Sequence, residues 1–272
     1  MYRRRICRRQ LTILREYEAN NKNVRVFALS KNMGVSATRN AGLEHSRGDW
    51  CLFLDCDDFL TDNCLSKAKD HLGDSRDSVL CVGRVRFEDG KRDRREYAKS
   101  GTYVGCVGGY IGGLFIPARF ATKIRFDKKV RYGEDELFGL ELQIRFSPNF
   151  IKLDEPMYYY RIHADQSMAL NTVDKRVKRL HSVIYSAVYV RKKYGLQNPI
   201  VFRFFKERVS VALDEIAGFR FYRRFFYLIG MKLHDLIVLK KNDTKGRGSL
   251  SEYWKNLIGE RKRLFIEKKK KR

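Results

Sequence analysis

The sequence predicts an α/β fold, in which an open parallel or mixed β-sheet carries helices on both faces. Three short apolar runs indicate strands, because a strand covered on both faces reads as a nearly continuous hydrophobic stretch. These runs are VRVFAL at 24–29, WCLFL at 50–54 and SVLCVGRVRF at 78–87. Segments with helical periodicity separate the runs, and this alternation of strand and helix predicts the fold class.

A predicted helix accompanies each of these strands. Residues 10–19 place apolar side chains at helical spacing before the first strand, and a second helix is expected over 35–45, after the SKNMG loop. A third helix is expected to end near Leu72, and Asp62 can cap its start. The polar stretch 88–100 predicts a hairpin or a loop.

The composition is that of a globular protein. The chain has 272 residues, of which 43% are hydrophobic, enough to bury a sizeable core. Its six cysteines form no C-x-x-C pair. This spacing argues against a zinc site and a disulfide framework, and it favours reduced thiols in a cytosol. The arginine-rich start lacks the apolar run of a signal peptide, and no apolar stretch reaches the ~18 residues of a transmembrane helix.

The charge is strongly positive and unevenly distributed. The formal net charge is +25, and residues 161–272 carry 28 Lys and Arg against 10 Asp and Glu. Residues 1–160 carry 29 against 22. This imbalance indicates a polyanionic partner: a nucleic acid, an anionic membrane surface or a substrate that bears phosphate.

An acidic cluster directly follows the second predicted strand. Asp55 and Asp57 would project to the same side if the backbone stays extended, since side chains alternate along a strand. Ligands of open α/β sheets bind beyond the carboxyl ends of strands, and two such carboxylates suit Mg²⁺ or Mn²⁺. The alternative is a solvated turn whose acids, Asp58 included, cap the following helix.

Two further motifs have both a functional and a purely structural interpretation. Glu134 and Asp135 precede a helical pattern, where a carboxylate can serve as a general base or simply stabilise the helix start. A tyrosine-rich strand ends at Arg161 and His163, which can bring cationic and metal-ligating groups to a phosphate or form an ordinary surface pair.

Taken together, these motifs resemble those of family 2 glycosyltransferases. Residues 31–65 follow the family pattern N-x-G-x-S-x-x-R-N-x-G, then a glycine–acid–aromatic step into a strand, then D-x-D-D. The matching residues are Asn32, Gly34, Ser36, Arg39, Asn40, Gly42, Gly48, Asp55, Asp57 and Asp58, with Thr38 where alanine is usual. Downstream, Glu134 and Asp135 match the family's E-D pair. The segment 159–163, followed by Ser167, is similar to its Y-x-R-x-H-x-x-S segment.

The resemblance implies a GT-A, Rossmann-like catalytic domain over residues 1–168 and a role for each matched residue. Asp55 and Asp57 would form the D-x-D pair that binds Mg²⁺ or Mn²⁺, and Asp55 would also lie near the sugar-nucleotide. His163 would approach the metal or the diphosphate. The implied reaction is an inverting displacement of a nucleoside diphosphate by an acceptor hydroxyl, and UDP is the expected nucleoside diphosphate.

The resemblance assigns the remaining site residues as well. Asp135 would be the catalytic base, with Glu134 beside it, and Arg39 and Asn40 would help to hold the nucleotide-sugar. The family pattern also begins with a strand, a helix and a second strand ending near D-D-G-S, for which this sequence shows no counterpart. We therefore expect an N-terminally truncated domain with unpaired strand edges and weakened nucleotide binding.

The basic region 169–272 is expected to form amphipathic helices. Its aromatic and basic residues at helical spacing suit an anionic membrane interface, and packing on the catalytic domain is the alternative. The sequence thus predicts a cytoplasmic enzyme, peripheral at the inner face of the membrane, that extends a saccharide or lipid-linked acceptor in surface polysaccharide synthesis. The rival interpretation is an inactive glycosyltransferase-like remnant or a basic membrane- or nucleic-acid-binding protein. The sequence contains no recognisable nucleic-acid-binding module.

Overall fold

The computed structural model describes residues 8–88, 91–92, 111–162 and 172–217. The chain divides into two compact units, Met1–Ala212 and Leu213–Arg272. The helices are α1 (Arg8–Asn20), α2 (Val35–His45), α3 (Cys64–Leu72), α4 (Ala118–Ala121), α5 (Glu134–Phe146), α6 (Val173–Tyr194) and α7 (Pro199–Ala217). The strands are β1 (Trp50–Cys51), β2 (Phe59–Leu60), β3 (Ser78–Glu88), β4 (Lys91–Arg92), β5 (Leu114–Pro117) and β6 (Asn149–Ile162).

A mixed sheet in the order β1-β5-β3-β6-β2 forms the centre of the first unit, and β4 pairs with β3. The long strands β3 and β6 run parallel, from Ser78 opposite Asn149 to Glu88 opposite Ile162, with irregular register around Gly83. The other pairings in the sheet are antiparallel. The parallel pair is therefore the axis of the sheet, and short strands extend it on both sides.

Helices cover both faces of this sheet, as the sequence predicts. Along β3, Val79 and Cys81 face a cluster that includes Leu43 of α2 and Phe138 of α5. The alternate residues of β3 face a second cluster. That cluster contains Leu80 and Val82 of β3, Phe115 of β5, Met157 and Tyr158 of β6, and Cys64, Ala68 and Leu72 of α3. Because both faces of β3 are buried, its sequence is apolar at nearly every position.

A third cluster packs the last two helices of the unit against α5. It joins Leu137 and Leu140 of α5 to Val190 of α6 and to Val201 and Phe204 of α7. The amphipathic faces predicted after residue 169 are thus used for internal packing over α6 and over α7 as far as Ala212. None of the described helices is long and apolar enough to cross a membrane.

The predicted elements are confirmed with some corrections. The helices expected over 10–19 and 35–45 and the strand expected over 78–87 are present. The third helix ends at Leu72 as predicted, but its N-cap residue is Asn63 and not Asp62. The strand expected over 50–54 is ordered as β1 only at Trp50–Cys51, and Phe53 then makes a single bridge to Gly112.

The strand expected over residues 24–29 is not formed. A strand needs a neighbour to share its ladder of hydrogen bonds, and no described segment pairs with these residues. The Val26 N–H instead donates to Glu18 Oε1 at 2.7 Å, and the Val24 N–H donates to the Asn21 carbonyl at 3.0 Å. The apolar side chains of Phe27 and Leu29 remain exposed.

Candidate catalytic site

Arg39 of α2 joins two acidic motifs that are far apart in the sequence. Its Nη1 donates to Glu134 Oε1 at 2.9 Å, and its Nη2 donates to Asp55 Oδ1 at 3.1 Å. The Arg39 side chain is only 12% exposed, and its guanidinium also lies 5.4 Å from the centre of the Phe126 ring. A planar guanidinium has donors in several directions, so one arginine can contact two carboxylates at once. Three of the sequence motifs therefore meet at this side chain.

Asn40, the next residue on α2, is buried and bonded to the backbone of the fold. Its amide Nδ2 donates to the Phe126 carbonyl at 2.9 Å, and its Oδ1 accepts from the Phe126 N–H at 2.8 Å. This reciprocal pair fixes the segment that carries the Phe126 ring beneath Arg39. The predicted contact of Asn40 with a nucleotide-sugar remains a prediction. Its observed contacts hold the site together.

The acidic cluster after β1 is a turn and not an extended strand. The Asp58 N–H donates to the Asp55 carbonyl at 3.1 Å, which closes the turn over Asp55–Asp58. The backbone is therefore not extended here, so the condition under which Asp55 and Asp57 would project to the same side of a strand is not met, and the alternative of a turn is confirmed. Asp residues favour turns because their short polar side chains bond nearby backbone groups, and the cluster follows this preference.

Asp58 anchors this turn to the sheet. Its carboxylate accepts from the Tyr158 hydroxyl at 2.6 Å and from the Arg161 N–H at 3.0 Å, both on β6. The Tyr158 side chain is fully buried in the core. Asp58 thus fixes the position of the turn that presents Asp55 and Asp57. It does not cap the following helix.

The metal-binding prediction concerns Asp55, Asp57 and His163, of which His163 lies outside the described residues. Within the described part of the chain, no group of three or more His, Cys, Asp or Glu side chains is arranged to hold a metal ion. The side chain of Asp55 is 40% exposed, so it remains accessible from solvent while it contacts Arg39. Mg²⁺ is commonly held by only one or two carboxylates together with substrate phosphates. Two aspartates on one turn fit that donor set.

The second acidic motif forms the first turn of α5. Gly133 precedes it with φ +76°, a left-handed conformation that glycine adopts readily. Glu134, Asp135 and Glu136 follow in the first turn, where the helix dipole favours negative charge. The prediction that these carboxylates lie at a helix start is therefore confirmed. This position is also compatible with a catalytic role.

Both leading carboxyls of this motif titrate well above their ordinary range. Burial, reinforced by the charge of Asp135, raises the pKa of Glu134 to about 7, although Arg39 opposes the shift. Burial raises the pKa of Asp135 to about 6, and the Arg39 guanidinium again opposes it. A general base works best when its pKa approaches the operating pH. Both groups therefore have the protonation behaviour that such a base requires.

The tyrosines of the third motif belong to the sheet. Tyr158 is buried, Tyr159 stacks on Phe59 with 4.7 Å between ring centres, and the Tyr160 ring lies 5.8 Å from the Arg84 guanidinium. Their hydroxyl-bearing rings pack β6 against β2 and β3. The Arg161 N–H contributes through its bond to Asp58.

One residue at the site, Arg208 of α7, was not identified from the sequence. It is buried and forms an ion pair with Glu136 of the α5 motif. Its position in the sequence gave one indication, because the residues at helical spacing from Arg208 on α7 are apolar and, in the structure, buried. The buried apolar residues around it on α7 are Val201, Phe204, Phe205, Val209 and Ala212. An arginine on such a face needs a partner, because an unpaired buried charge is costly.

The family model described as "Glycosyl transferase family 2" matches residues 9–133, which include Arg39, the Asp55–Asp58 turn and the residue before the α5 motif. These residues belong to glycosyl transferase family 2. The GT-A-like fold of this family 2 domain is shared with Staphylococcus aureus TarS. The crystal structure of TarS residues 1–349 superposes with a TM-score of 0.54 at 17% identity, over 81% of this chain and 62% of that one.

Curated proteins resemble the family 2 domain at low identity. The minor teichoic acid biosynthesis protein GgaB of Bacillus subtilis is 27% identical over 171 residues, which are 59% of this chain and 19% of GgaB. The putative glycosyltransferase EpsH of B. subtilis is 26% identical over 56% of this chain and 48% of its own length. The chain therefore spans less than half of either relative. S. aureus TarP, a poly(ribitol-phosphate) β-N-acetylglucosaminyltransferase, is 26% identical over 69% of this chain and 60% of its own.

Proposed function

We propose that this chain is an inverting, metal-dependent glycosyltransferase that moves a sugar from a UDP-sugar to a hydroxyl of a saccharide or lipid-linked acceptor in surface polysaccharide or teichoic acid synthesis. The observation that carries the proposal is the pair of contacts from Arg39 to Asp55 and Glu134. They bring a donor-side acidic turn and an acceptor-side acidic helix start to one partly buried location. Membership of residues 9–133 in family 2 supports the reaction class.

Asp135 is the base in this proposal. As the acceptor oxygen attacks the anomeric carbon, its proton passes to the Asp135 carboxylate, and the bond from that carbon to the nucleoside diphosphate breaks. Attack from the face opposite the leaving group inverts the anomeric centre. The raised pKa of Asp135, about 6, leaves it ionised at neutral pH yet basic enough to take the proton.

Asp55 and Asp57 would hold the divalent cation together with the donor diphosphate. When bound, such a cation neutralises the charge that develops on the leaving group. Arg39 orients the Asp55 carboxylate through its contact at 3.1 Å. Asp58 holds the turn itself by its bonds to β6. The two carboxylates therefore have supports from both α2 and the sheet.

The names of the similar proteins support the choice of donor and acceptor. TarS has been crystallised in complex with UDP and with UDP-GlcNAc. TarP transfers N-acetylglucosamine to poly(ribitol phosphate), and GgaB belongs to teichoic acid synthesis. We therefore propose a UDP-linked hexose or N-acetylhexosamine as donor and a hydroxyl-rich, anionic or lipid-linked polymer as acceptor. The basic C-terminal region suits such an anionic acceptor or the membrane that carries it.

The test is donor turnover by the full chain. We expect UDP release from at least one of UDP-glucose, UDP-galactose and UDP-GlcNAc that requires Mg²⁺ or Mn²⁺ and stops in excess EDTA. Asp57→Ala should abolish it, because a cation contributes several kcal/mol to charge stabilisation. The exposed Asp62 offers the matched control, and Asp62→Ala should retain wild-type turnover.

Two outcomes would contradict the proposal. Undiminished turnover in EDTA or by Asp57→Ala would remove the metal assignment. Binding of UDP-sugars without turnover under any condition, together with normal folding, would favour a non-enzymatic binding protein.

A further inference from the structure

Arg208 approaches the acidic motif from a helix outside the family-matched residues. Its side chain on α7 is 8% exposed and forms an ion pair with Glu136. The guanidinium also lies 5.1 Å from the centre of the Phe204 ring, one turn earlier on the same helix. Phe204 itself packs in the cluster that joins α7 to Leu137 and Leu140 of α5. The arginine is thus held at the motif by the packing of its own helix.

The Arg208 guanidinium lies directly beside Gly133. A Cβ atom at position 133 would lie 2.8 Å from Arg208 Nη1, closer than real Cβ contacts allow. The φ of +76° already disfavours other residues there. The start of α5 therefore leaves room for the Arg208 guanidinium directly beside the turn that presents Glu134 and Asp135.

We propose that Arg208 is a positioning residue for the transfer reaction, which fixes the first turn of α5 and supplies the second positive charge that keeps Asp135 available as a base. This inference rests on the proposed function, since it assigns a partner to the proposed base. Arg208 does not touch the reacting atoms. It acts through Glu136, its ion-pair partner, and through the field at Asp135.

Charge balance at the motif supplies the reason. The charges that act on Asp135 include Arg39 from α2, Asp55 from the turn after β1 and Arg208 from α7, and Glu134 and Glu136 are its neighbours in the first turn of α5. Three carboxylates besides Asp135 are thus opposed by two arginines. Removal of Arg208 leaves one cation among these acids, and like charges favour protonation of a carboxyl. As the pH falls, Asp135 would then become protonated, and stop acting as a base, at a higher pH than in the intact protein.

The experiment compares the acidic limb of the pH profile of kcat in the full-length wild type and in full-length variants of Arg208, Arg203 and Glu136. For Arg208→Met we expect the limb to move up by about 0.5–1 pH unit, less than the ~1–3 units of a direct charge partner. At pH 6 this shift lowers kcat by about two- to fivefold, while the KM for the UDP-sugar stays within about twofold. Arg208→Lys, which keeps the charge, should leave the acidic limb close to its wild-type position. The control is Arg203→Met on the same helix, whose side chain is 60% exposed.

The sign of the effect at Glu136 separates positioning from simple stabilisation. Glu136→Gln removes a negative charge and should move the limb down, opposite to Arg208→Met, and the double variant should return close to wild type. If both single variants only lower the melting temperature, or if both move the limb in the same direction, Arg208 is a structural residue and the inference is wrong.

A second readout does not depend on catalysis. The Asp135 carboxyl can be followed by ¹³C NMR and assigned by Asp135→Asn. Arg208→Met should raise its titration midpoint, and Glu136→Gln should lower it. If the protein is active but the titration midpoint of Asp135 does not shift in these variants, only the role of Arg208 is overturned. If the protein releases no UDP, the proposed function is overturned. The titration midpoints then still decide whether Arg208 controls the protonation of Asp135.

Discussion

Arg39 and Glu134 are 95 residues apart in sequence, yet Arg39 Nη1 lies 2.9 Å from Glu134 Oε1. The same guanidinium reaches Asp55 through its other terminal nitrogen. This arginine therefore connects the Asp55–Asp58 turn to the first turn of α5. Changes at Arg39 should affect both halves of the site at once.

Replacement of Arg39 tests this link. Arg39→Met leaves the partly buried Glu134 carboxyl without its cation, so the free energy of unfolding should fall by about 2–4 kcal/mol, below the full value for a buried pair because Asp55 is exposed to water. Arg39→Lys should recover only part of the loss, since one ammonium is a point charge that cannot present two fixed donors. Urea unfolding measures both effects. The exposed Arg47 provides the control, and an Arg47→Met variant as unstable as Arg39→Met would contradict the assignment.

Asp58 should behave as an anchor of the turn. Asp58→Ala removes the acceptor of the Tyr158 hydroxyl and of the Arg161 N–H, and we expect a loss of about 1–3 kcal/mol. The melting temperature should then fall by about 2–4 °C for each kcal/mol. A double-mutant cycle with Tyr158→Phe should show that the two losses of stability are not additive, because both substitutions remove the same hydrogen bond, from the Tyr158 hydroxyl to Asp58. Additive losses would mean that this bond contributes nothing. Asp70→Ala on the exposed face of α3 is the control.

Asp135 should make the folded protein less stable as the pH rises. Its pKa in the folded state, about 6, is above the unfolded value near 3.8, so the native state holds the proton more tightly over pH 4–6. Stability present below pH 4 is then lost as the pH rises through 6. Asp135→Asn cannot ionise and should be more stable than wild type at pH 8, by about 1–3 kcal/mol, since one pKa unit corresponds to about 1.4 kcal/mol.

The measurement is the difference in unfolding free energy between the two proteins at pH 4.5 and at pH 8. It should be larger at pH 8. An equal difference at both pH values would mean that Asp135 does not carry a raised pKa in the folded chain.

The C-terminal tail is the part of the chain in which to seek membrane binding. Residues 218–272 carry 17 Lys and Arg against 5 Asp and Glu. A chain that ends at residue 217 keeps the α7 residues that pack on α5 and should stay folded, but it should lose salt-sensitive binding to vesicles containing phosphatidylserine. Sedimentation with vesicles at low and high salt measures this. Equal binding by the shortened chain would contradict the proposal.

The fold could be predicted from the sequence at strands whose two faces are both buried. Val79 to Val82 read as a continuous apolar run because alternate residues face different helical layers. The segment 24–29 has similar composition but forms no strand, because pairing depends on a neighbour that composition does not reveal. The turn at Asp55–Asp58 had a local signal in its clustered aspartates. The sequence left both an extended backbone and a turn open here, and the structure forms the turn.

The site could be predicted only as separate pieces. Arg39, Asp55, Glu134 and Asp135 were each identified from their motifs, but nothing in the sequence joins the first of these to the others. Asn40 was expected at the nucleotide, whereas its amide bonds the backbone of Phe126, a residue that belongs to no motif. Such contacts arise from tertiary packing, which sequence periodicity does not encode.

The most direct test of the proposed function separates transfer from donor binding in Asp135→Asn. The amide keeps the shape of the side chain but cannot accept the acceptor's proton, so transfer of the sugar should fall by about two to four orders of magnitude. The dissociation constant for the UDP-sugar, measured by calorimetry on the same preparation, should remain within about threefold of wild type. Retained transfer, or a collapse of donor affinity with transfer per bound donor unchanged, would contradict the assignment of Asp135 as the catalytic base.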